Sequence, residues 1–343
     1  MESLGLWALI AGGLVGCGSS PEARGAAAQA LSCKTSTEGT TNCGPTGEDC
    51  CTSPSVPGGA YDRTYPYAAS VDAGAADPAQ VSAFRLDKYL VTVGRFRQFV
   101  AASAAGWAPQ PGSGKHTHLN GGKGLAVTSG GYEPGWLQED GAYLATTTAD
   151  WQNNLGCDPS FATWTDAAGP NETLPINCID WYEAYAFCIW DGGFLPSEAE
   201  FAFAAAGGSE QRVYPWGSTD PGTANAYAIT NCYYPNGPTG PGLQGNCAGA
   251  GNIAPVGTAL LGAGKWGQLD LAGDMTEWIL DYNAPYVTPC VDCVFLTDVS
   301  YKTQRGGGWA TDPQDLFSAS RGGSGDKPMD RAIVDGVRCA RSP

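Results

Sequence analysis

Histidine and basic side chains are scarce in this chain of 343 residues. It has two His, and its 18 Lys plus Arg stand against 34 Asp plus Glu, which gives a net charge of −16. A surface this acidic repels nucleic acid and anionic lipid headgroups, so we expect neither as a partner, whereas it suits cation binding. Beyond the N-terminus, no apolar run approaches the length of a membrane-spanning helix.

Cysteine, glycine and proline are abundant, with 13, 49 and 24 residues. Glycine and proline at this level predict a loop-rich domain rather than a helix bundle. So many cysteines are unusual in the cytosol and indicate an exported chain with disulfides. With one cysteine set aside at the N-terminus, an even number remains for pairing.

The N-terminus resembles a bacterial lipoprotein signal. A short apolar run ends in the sequence LVGC at Cys17, so we predict removal of residues 1–16 and lipidation of Cys17. The run is preceded by Glu2 rather than by basic residues, and an ordinary signal peptide is the alternative. We expect a cell-envelope location through this lipid alone, with outer-membrane sorting favoured by Gly18-Ser19; a periplasmic or extracellular protein is the other possibility.

Composition divides the rest of the chain into two parts. Residues 17–60 are rich in small and polar residues and predict a flexible, cysteine-containing tether. Residues 61–343 predict one globular domain, in which residues 104–173 have the composition of loop. Four cysteines of the tether are expected to pair among themselves: Cys33, Cys43, Cys50 and Cys51.

Three helices have recognisable starts. Thr92 is a candidate N-cap before a run with apolar residues at helical spacing. Asp180 with Glu183, and Ser197 with Glu200, form two capping boxes before further apolar runs. No alternation of strands and helices follows, so a doubly wound parallel sheet is not expected and an irregular α+β domain is.

Ordered motifs along the domain resemble the formylglycine-generating enzyme family, also called the sulfatase-modifying factor family. They are LPSEAEF at 195–201, YPWG at 214–217, GQLDLAGDMTEWILD at 267–281, RGG at 305–307 and GVRCA at 336–340. The resemblance covers about residues 80–342. It implies a C-type-lectin-like α+β fold with little regular secondary structure, here stapled by disulfides.

The resemblance also locates the family's redox site. Family enzymes oxidise a sulfatase cysteine to formylglycine with copper held by two cysteines, because soft thiolates select Cu(I). In this chain those positions carry Thr311 and Leu316, neither of which can bind copper, so no copper is expected. Another family branch uses a three-histidine iron site, whereas this chain has only two histidines.

Calcium is the cofactor that the resemblance implies. The family binds a calcium ion at positions that correspond here to Asp270, Gly273, Met275 and Glu277, with carboxylates at the two ends and main-chain carbonyls between. Calcium prefers six to eight hard oxygen ligands, which such a turn can partly supply. By contrast, His116 and His118 lie in a glycine-rich loop, where a solvated pair is expected rather than a metal site.

The cysteines of the domain are expected to form four bridges. The resemblance implies the first, short loops suggest two, and a C-x-x-C sequence gives the last, which we interpret as structural rather than redox-active. These pairs are Cys188–Cys339, Cys157–Cys178, Cys232–Cys247 and Cys290–Cys293.

The stretch from Arg305 to Arg321 is expected to form the wall of the family's substrate groove. Trp309 with Asp312 and Asp315 suits binding of a peptide, a sugar or a cation. The two arginines are expected instead to be buried in ion pairs that join the loops.

The predicted function is therefore a non-catalytic or divergent family member that acts as a binding module of the envelope. Its expected partner is a peptide, a glycan or an envelope protein. The alternative is an oxidoreductase of the formylglycine-generating or non-haem iron type with a non-standard site, because a family name transfers more safely than an activity.

Overall fold

Short helices and strands joined by long loops build the fold. The computed structural model describes residues 1–2, 29–66, 76–239, 245–321 and 325–343. Cys17 and nearly all of the segment predicted as a signal peptide lie outside these residues. Within the described ranges, no helix combines the length and the apolar character needed to span a membrane.

Four α-helices are present in the described residues: α1 Val93–Ala104, α2 Thr148–Leu155, α3 Trp181–Trp190 and α4 Glu198–Ala206. The predicted caps are confirmed for α1, α3 and α4. Thr92 accepts a hydrogen bond from the Arg95 amide, and both capping boxes are formed. The short helix α2 lies in a segment predicted as loop, where Thr147 caps it through the Asp150 amide. The sequence did not indicate α2 because its eight residues are too few to show a clear apolar period.

The strands of the described residues are short. They are β1 Ser55–Val56, β2 Gly59–Asp62, β3 Pro78–Val81, β4 Phe84–Leu86, β5 Ala126–Val127, β6 Thr276–Tyr282, β7 Cys290–Val291, β8 Cys293–Val294, β9 Lys302–Arg305, β10 Asp335–Gly336 and β11 Ala340–Arg341.

Within the described residues these strands form three three-stranded sheets and one two-stranded sheet, in the orders β1-β4-β11, β10-β6-β9, β2-β3-β7 and β5-β8. In the second sheet, β6 pairs antiparallel with β9 and parallel with β10.

An aromatic cluster between α1, α2 and α3 forms one centre of the core. Phe99 packs edge-on against Trp151 and Phe187, and Phe96 stacks on Phe187, with ring centroids 5.5–5.8 Å apart. Such pairs contribute about 0.5–1.5 kcal/mol each beyond the burial of their area. Trp278 and Leu280 of β6 belong to the same core, which therefore holds α3 against this strand. The candidate sites described below lie on the turn before β6, on its neighbour β9 and on the loop after β9.

The segment predicted as a flexible tether differs from that prediction, because its described part from residue 29 onward is packed against the domain. The buried Arg95 guanidinium donates to Ser32 Oγ at 3.0 Å and to the Cys50 carbonyl at 3.2 Å. The Ser32 amide in turn donates to Asp191 at 2.8 Å, and β1 extends the sheet of β4 and β11. Composition indicated a tether because the segment has few apolar anchors. Its packing against the domain comes instead from polar bonds to a buried arginine, while two disulfides within the segment hold its own shape.

Candidate functional site

The RGG loop begins where strand β9 ends. Gly306 and Gly307 have φ values of 94° and 68°, in the left-handed region that favours glycine. A Cβ placed on Gly307 would lie 3.0 Å from Thr311 Oγ1 and 3.4 Å from a methyl of Leu316. The two positions that the resemblance assigns to copper ligands therefore converge on one point of the loop, as a metal site requires.

The side chains at that point do not supply metal ligands of the expected kind. Thr311 Oγ1 accepts a hydrogen bond from the Gly308 amide at 3.0 Å and donates to the Gly308 carbonyl, so the hydroxyl closes a local turn. Leu316 is only 1% exposed and packs as an apolar side chain. Neither a hydroxyl held in a turn nor a methyl group replaces the soft thiolates that hold Cu(I).

All cysteines in the described part of the chain are in disulfides, and these are the pairs inferred for the domain together with two bridges within the N-terminal segment. The Cys290–Cys293 bridge joins β7 to β8, which belong to different sheets, and so it ties two sheets together. The bridges are Cys33–Cys51, Cys43–Cys50, Cys157–Cys178, Cys188–Cys339, Cys232–Cys247 and Cys290–Cys293.

Both arginines at the ends of the loop are engaged with Glu198. Arg321 donates one hydrogen bond to each oxygen of that carboxylate, at 2.7 and 2.8 Å, and Arg305 Nη1 lies 3.5 Å from it. Arg305 also donates to the Ser318 carbonyl at 2.8 Å, while its Nε and Nη1 have no hydrogen-bond partner, so Nη1 makes only a charge contact with Glu198. These contacts join α4 to both ends of the loop, as expected for structural arginines.

Trp309 was predicted to face a groove, and the structure corrects this. Its side chain is 1% exposed, stacks on Phe161 with ring centroids 5.4 Å apart, and donates to the Ile333 carbonyl. A ring covered on this face cannot receive a ligand. Of the two loop acids, Asp312 is exposed and Asp315 is half-buried, and burial raises the pKa of Asp315.

The four positions predicted for calcium lie on a buried turn before and at the start of β6. Asp270 and Glu277 are both buried, and Asp270 accepts a bond from the Gly257 amide at 2.7 Å. The Gly273 carbonyl accepts from the Met275 amide, so one of its lone pairs is already used. The turn thus buries both carboxylates that were predicted as ligands.

A third acid, Asp274, lies on this turn, and sequence reasoning missed it although it follows Gly273 directly. One oxygen of Asp274 accepts from the Ala254 amide, whereas Asp274 Oδ2 and Glu277 Oε1 are buried without a partner. The only cation that contacts the cluster in the described residues is Arg338, which donates to Glu277 Oε2 and to the Asp270 carbonyl, both at 2.7 Å. Arg338 thus contacts one carboxylate of the turn, and two carboxylate oxygens are left without a partner. Such oxygens are hard donors of the kind that calcium prefers, although among the described residues only Cys33, Asp49 and Cys51 bring three side-chain ligand atoms within 4.8 Å of one another.

The carboxyls of this cluster have strongly shifted pKa values. Burial raises the pKa of Asp270 to about 6 and that of Glu277 to about 7, although Arg338 opposes the shift at both. Burial and the nearby Asp270 carboxylate raise the pKa of Asp274 well above its usual range. Burial therefore makes all three carboxyls easier to protonate than exposed ones.

His116 is buried rather than solvated, which corrects the sequence interpretation. Its Nδ1 lies 3.0 Å from Glu133 and its Nε2 lies 3.0 Å from Glu200. Burial opposes the charge, but the two carboxylates outweigh it and raise the pKa of His116 to about 10. Both ring nitrogens are occupied, so His116 is a charged clamp between α4 and the loop that carries Glu133. Its neighbour His118 is half-buried, and burial lowers its pKa.

A cavity at the other end of β9 contains a site that the sequence did not indicate. Lys302 is 2% exposed, and its ammonium lies 3.8 Å from the ring centres of both Trp181 and Tyr282. All four residues of β9 are buried, so the strand shows no alternation that would have singled out this lysine.

Comparison with known proteins identifies the family. A family model described as "Sulfatase-modifying factor enzyme 1-like domain" matches residues 43–343. The chain belongs to the sulfatase-modifying factor family. The match begins within the segment predicted as a tether, in agreement with the packing of that segment. The resemblance stated from the motifs is confirmed.

Sequence relatives in the family have different activities. Over 180 residues the chain is 31% identical to Hercynine oxygenase of Mycolicibacterium smegmatis, which covers 48% of this chain and 37% of that protein. Over 123 residues it is 33% identical to Inactive C-alpha-formylglycine-generating enzyme 2 of Mus musculus, covering 34% and 37%. Over 211 residues it is 29% identical to Formylglycine-generating enzyme of Thermomonospora curvata, covering 59% and 61%. The chain thus spans less than two thirds of the length of each relative.

A solved structure agrees with the fold class. The structure of PvdO from Pseudomonas aeruginosa matches with a TM-score of 0.52 and 18% identity, covering 84% of this chain and 93% of that one. At this identity the likeness concerns the fold alone. The predicted irregular, C-type-lectin-like α+β fold, low in regular secondary structure and stapled by disulfides, is confirmed.

Proposed function

We propose that this chain is a divergent member of the sulfatase-modifying factor family that binds a ligand and does not perform copper-dependent oxidation of cysteine. The observation that carries the proposal is the pair Thr311 and Leu316, which meet at Gly307 where the family's copper thiolates are expected. The described cysteines are all in disulfides, so none of them offers a thiolate from a neighbouring position.

The test uses the full chain with its disulfides formed. We would titrate it with Cu(I), and would then incubate it with copper, oxygen and a cysteine-containing sulfatase-type peptide, following the peptide by mass spectrometry. We expect no stoichiometric copper and no conversion of cysteine to an aldehyde. One equivalent of tightly bound copper together with peptide conversion would refute the proposal and favour the oxidoreductase alternative.

A matched variant tests whether the missing thiols of the loop are enough to explain the lack of Cu(I) binding. The double change Thr311→Cys and Leu316→Cys places two thiols against the same glycine, so we expect it to gain Cu(I) binding that the natural chain lacks. The single change Thr311→Ser is the control, because it keeps the hydroxyl and adds no thiol.

We also propose that calcium binds at the buried turn, with Asp270, Asp274 and Glu277 as side-chain ligands and with main-chain oxygens of Gly273 and Met275. The unpartnered oxygens of Asp274 and Glu277 support this assignment. A bound divalent cation would supply charge neutralisation for the carboxyl cluster and would hold the turn before β6 in place.

Calcium content and thermal unfolding test this assignment. We expect about one equivalent of calcium in the purified chain and a lower Tm after chelation, because a ligand that binds the folded state stabilises it. Asp274→Asn should abolish most of the calcium-dependent rise in Tm, whereas Asp166→Asn, at an exposed acid, should leave it intact. An unchanged calcium response in Asp274→Asn would refute the role of Asp274.

The location and partner remain proposals of the same kind. We propose anchoring to the cell envelope through a lipid on Cys17, which lies outside the described residues, and a peptide, a glycan or an envelope protein as the partner. Because Trp309 is covered by Phe161, the partner is not expected to stack on that ring.

A further inference from the structure

A cavity separate from the RGG loop opens beside the N-terminal end of β9. Its volume is 140 Å³, close to that of engineered apolar cavities that hold benzene, which are about 150 Å³. Leu137 at its rim is 39% exposed, so the cavity communicates with the surface. Its walls include Trp181, Tyr182, Tyr185, Tyr282, Asp140 and Lys302.

The amine of Lys302 is buried among these walls without a direct counter-ion. Its Nζ donates to the Leu280 carbonyl at 2.9 Å, and the rings of Trp181 and Tyr282 occupy its flanks. No carboxylate of the described residues lies within 4.0 Å of it. By contrast, Lys88 is paired with Glu48.

A buried ammonium without a counter-ion is costly, so the neutral amine is favoured. The faces of Trp181 and Tyr282 favour the ammonium form instead. Burial lowers the pKa of Lys302 to about 7, while Asp281, Asp140 and Asp298 raise it. A large fraction of Lys302 is therefore unprotonated near neutral pH. The unprotonated amine carries the lone pair that attacks carbonyl carbon, and desolvated lysines are used in this way.

We propose that Lys302 is a nucleophilic amine that captures a small aldehyde with a planar apolar body in this cavity, as an imine. The lone pair of Nζ forms a C–N bond to the carbonyl carbon, and the carbonyl oxygen leaves as water. Aldehyde and neutral amine give imine and water, so both protons of the water come in net terms from the amine and no oxidant or reductant is consumed.

The other walls suit this reaction. Tyr182, Tyr185 and Trp181 offer apolar faces for a flat ligand and limit the water that would hydrolyse an imine. Asp140 lies on the same cavity, accepts a bond from the Leu137 amide through one oxygen, and has its pKa raised by burial. The other carboxyl on these walls, Glu133, is bonded to His116, so Asp140 is the candidate to pass a proton to the departing oxygen.

The test is reductive trapping on the full chain with its disulfides intact. Benzaldehyde and cyanoborohydride would be added near pH 7, and the benzylated lysines would be mapped by peptide mass spectrometry. We expect the adduct on Lys302 to form about tenfold or more faster than on the exposed Lys123, because an ordinary lysine is almost fully protonated at this pH. The rate at Lys302 should rise with pH and level off above about 8.

Variants separate a reactive amine from a merely structural one. Lys302→Arg keeps a cation between the two rings and should lose the fast adduct, while Lys265→Arg, at an exposed lysine, should retain it. If Lys302→Arg does not fold, the map of the natural chain still decides. Labelling of Lys123 without Lys302, or labelling of Lys302 only in urea, overturns the proposal.

This inference does not depend on the proposed function. A chain that binds no copper could fail the trapping experiment, and a chain that oxidises peptides could pass it. The two sets of measurements therefore fail separately.

Discussion

The two ends of strand β9 each carry a buried basic side chain, and the two side chains have different partners. Arg305, at the C-terminal end, lies next to Glu198, which also holds Arg321. Lys302, at the N-terminal end, has a carbonyl and two aromatic rings instead of a carboxylate. Only three residues along one strand, one cation is closed into an ion-pair network and the other lines an open cavity.

This difference separates a region whose charged groups hold the fold together from a region that can receive a ligand. The arginine end carries the family's RGG loop, where Arg321 and Glu198 bond to each other and Trp309 is covered. Arg305 keeps two nitrogens without a hydrogen-bond partner there, but its side chain is buried. The amine of Lys302 is also satisfied only in part, and it differs in that it lines a cavity, where groups with a shifted pKa mark functional sites more often.

The largest effect is expected from opening the network at the arginine end. Glu198→Gln leaves Arg305 and Arg321 buried or half-buried without their carboxylate, so we expect a loss of about 3–5 kcal/mol in the free energy of unfolding. Urea denaturation measures this loss. Glu210→Gln, at an exposed ion pair with Arg212 and Lys265, is the matched control and should change little. Equal effects of the two changes would show that the network is not a buried clamp.

The next effect concerns the dependence of stability on pH. The pKa of Lys302 is lowered in the folded state from 10.5 to about 7, so its stabilising contribution is present above pH 10.5 and is lost as pH falls towards 7. Asp140, Asp281 and Asp298 are the charged groups that act on it. Replacing Lys302 by Met should remove a slope of up to about 1.4 kcal/mol per pH unit between pH 7 and 10.

His116 acts in the opposite direction. Burial lowers its pKa, but Glu200 and Glu133 outweigh burial and raise the pKa from 6.5 to about 10 in the folded state. The stabilising contribution of His116 is therefore complete below pH 6.5 and is lost as pH rises through 10. Relative to the natural chain, His116→Gln should therefore make stability rise more steeply with pH. Lys302→Met should make stability rise less steeply with pH. Urea denaturation at several pH values checks both. Parallel curves for the natural chain and both variants would contradict these assignments.

The smallest effect is expected on the exposed side of the RGG loop. Asp312 precedes the short 3-10 helix at Pro313–Leu316 but makes no side-chain cap there. Asp312→Asn should therefore change the free energy of unfolding by less than about 0.5 kcal/mol. A loss of ligand binding in this variant, with stability intact, would instead return the ligand site to the RGG end of β9.

Much of the local structure was predictable from the sequence because its causes are local. Thr92, Ser197 and Asp180 each bond to an amide three residues further on, so the helix starts are encoded within one turn of chain. The family resemblance was likewise carried by ordered motifs. The assignment of the copper positions to Thr311 and Leu316 was implied by that resemblance and stays a prediction.

The errors concern contacts between residues far apart in sequence. His116 was expected in solvent because its neighbours are glycine-rich, but Glu200 reaches it from α4 across 84 positions of chain. The segment before residue 61 was expected to be a tether, but Arg95 binds it through Ser32 and Cys50. Trp309 was expected in a groove, but Phe161 covers it.

The sequence by itself determined the family, the helix starts and the abundance of disulfides, because each of these depends on residue identity at short spacing. The tertiary structure alone decided which charged groups find partners. It paired Arg305 with Glu198 and His116 with two carboxylates, and it left Lys302 between two rings at a cavity. The physical reason is that the state of a buried charge depends on the groups packed around it, and those groups come from distant parts of the chain.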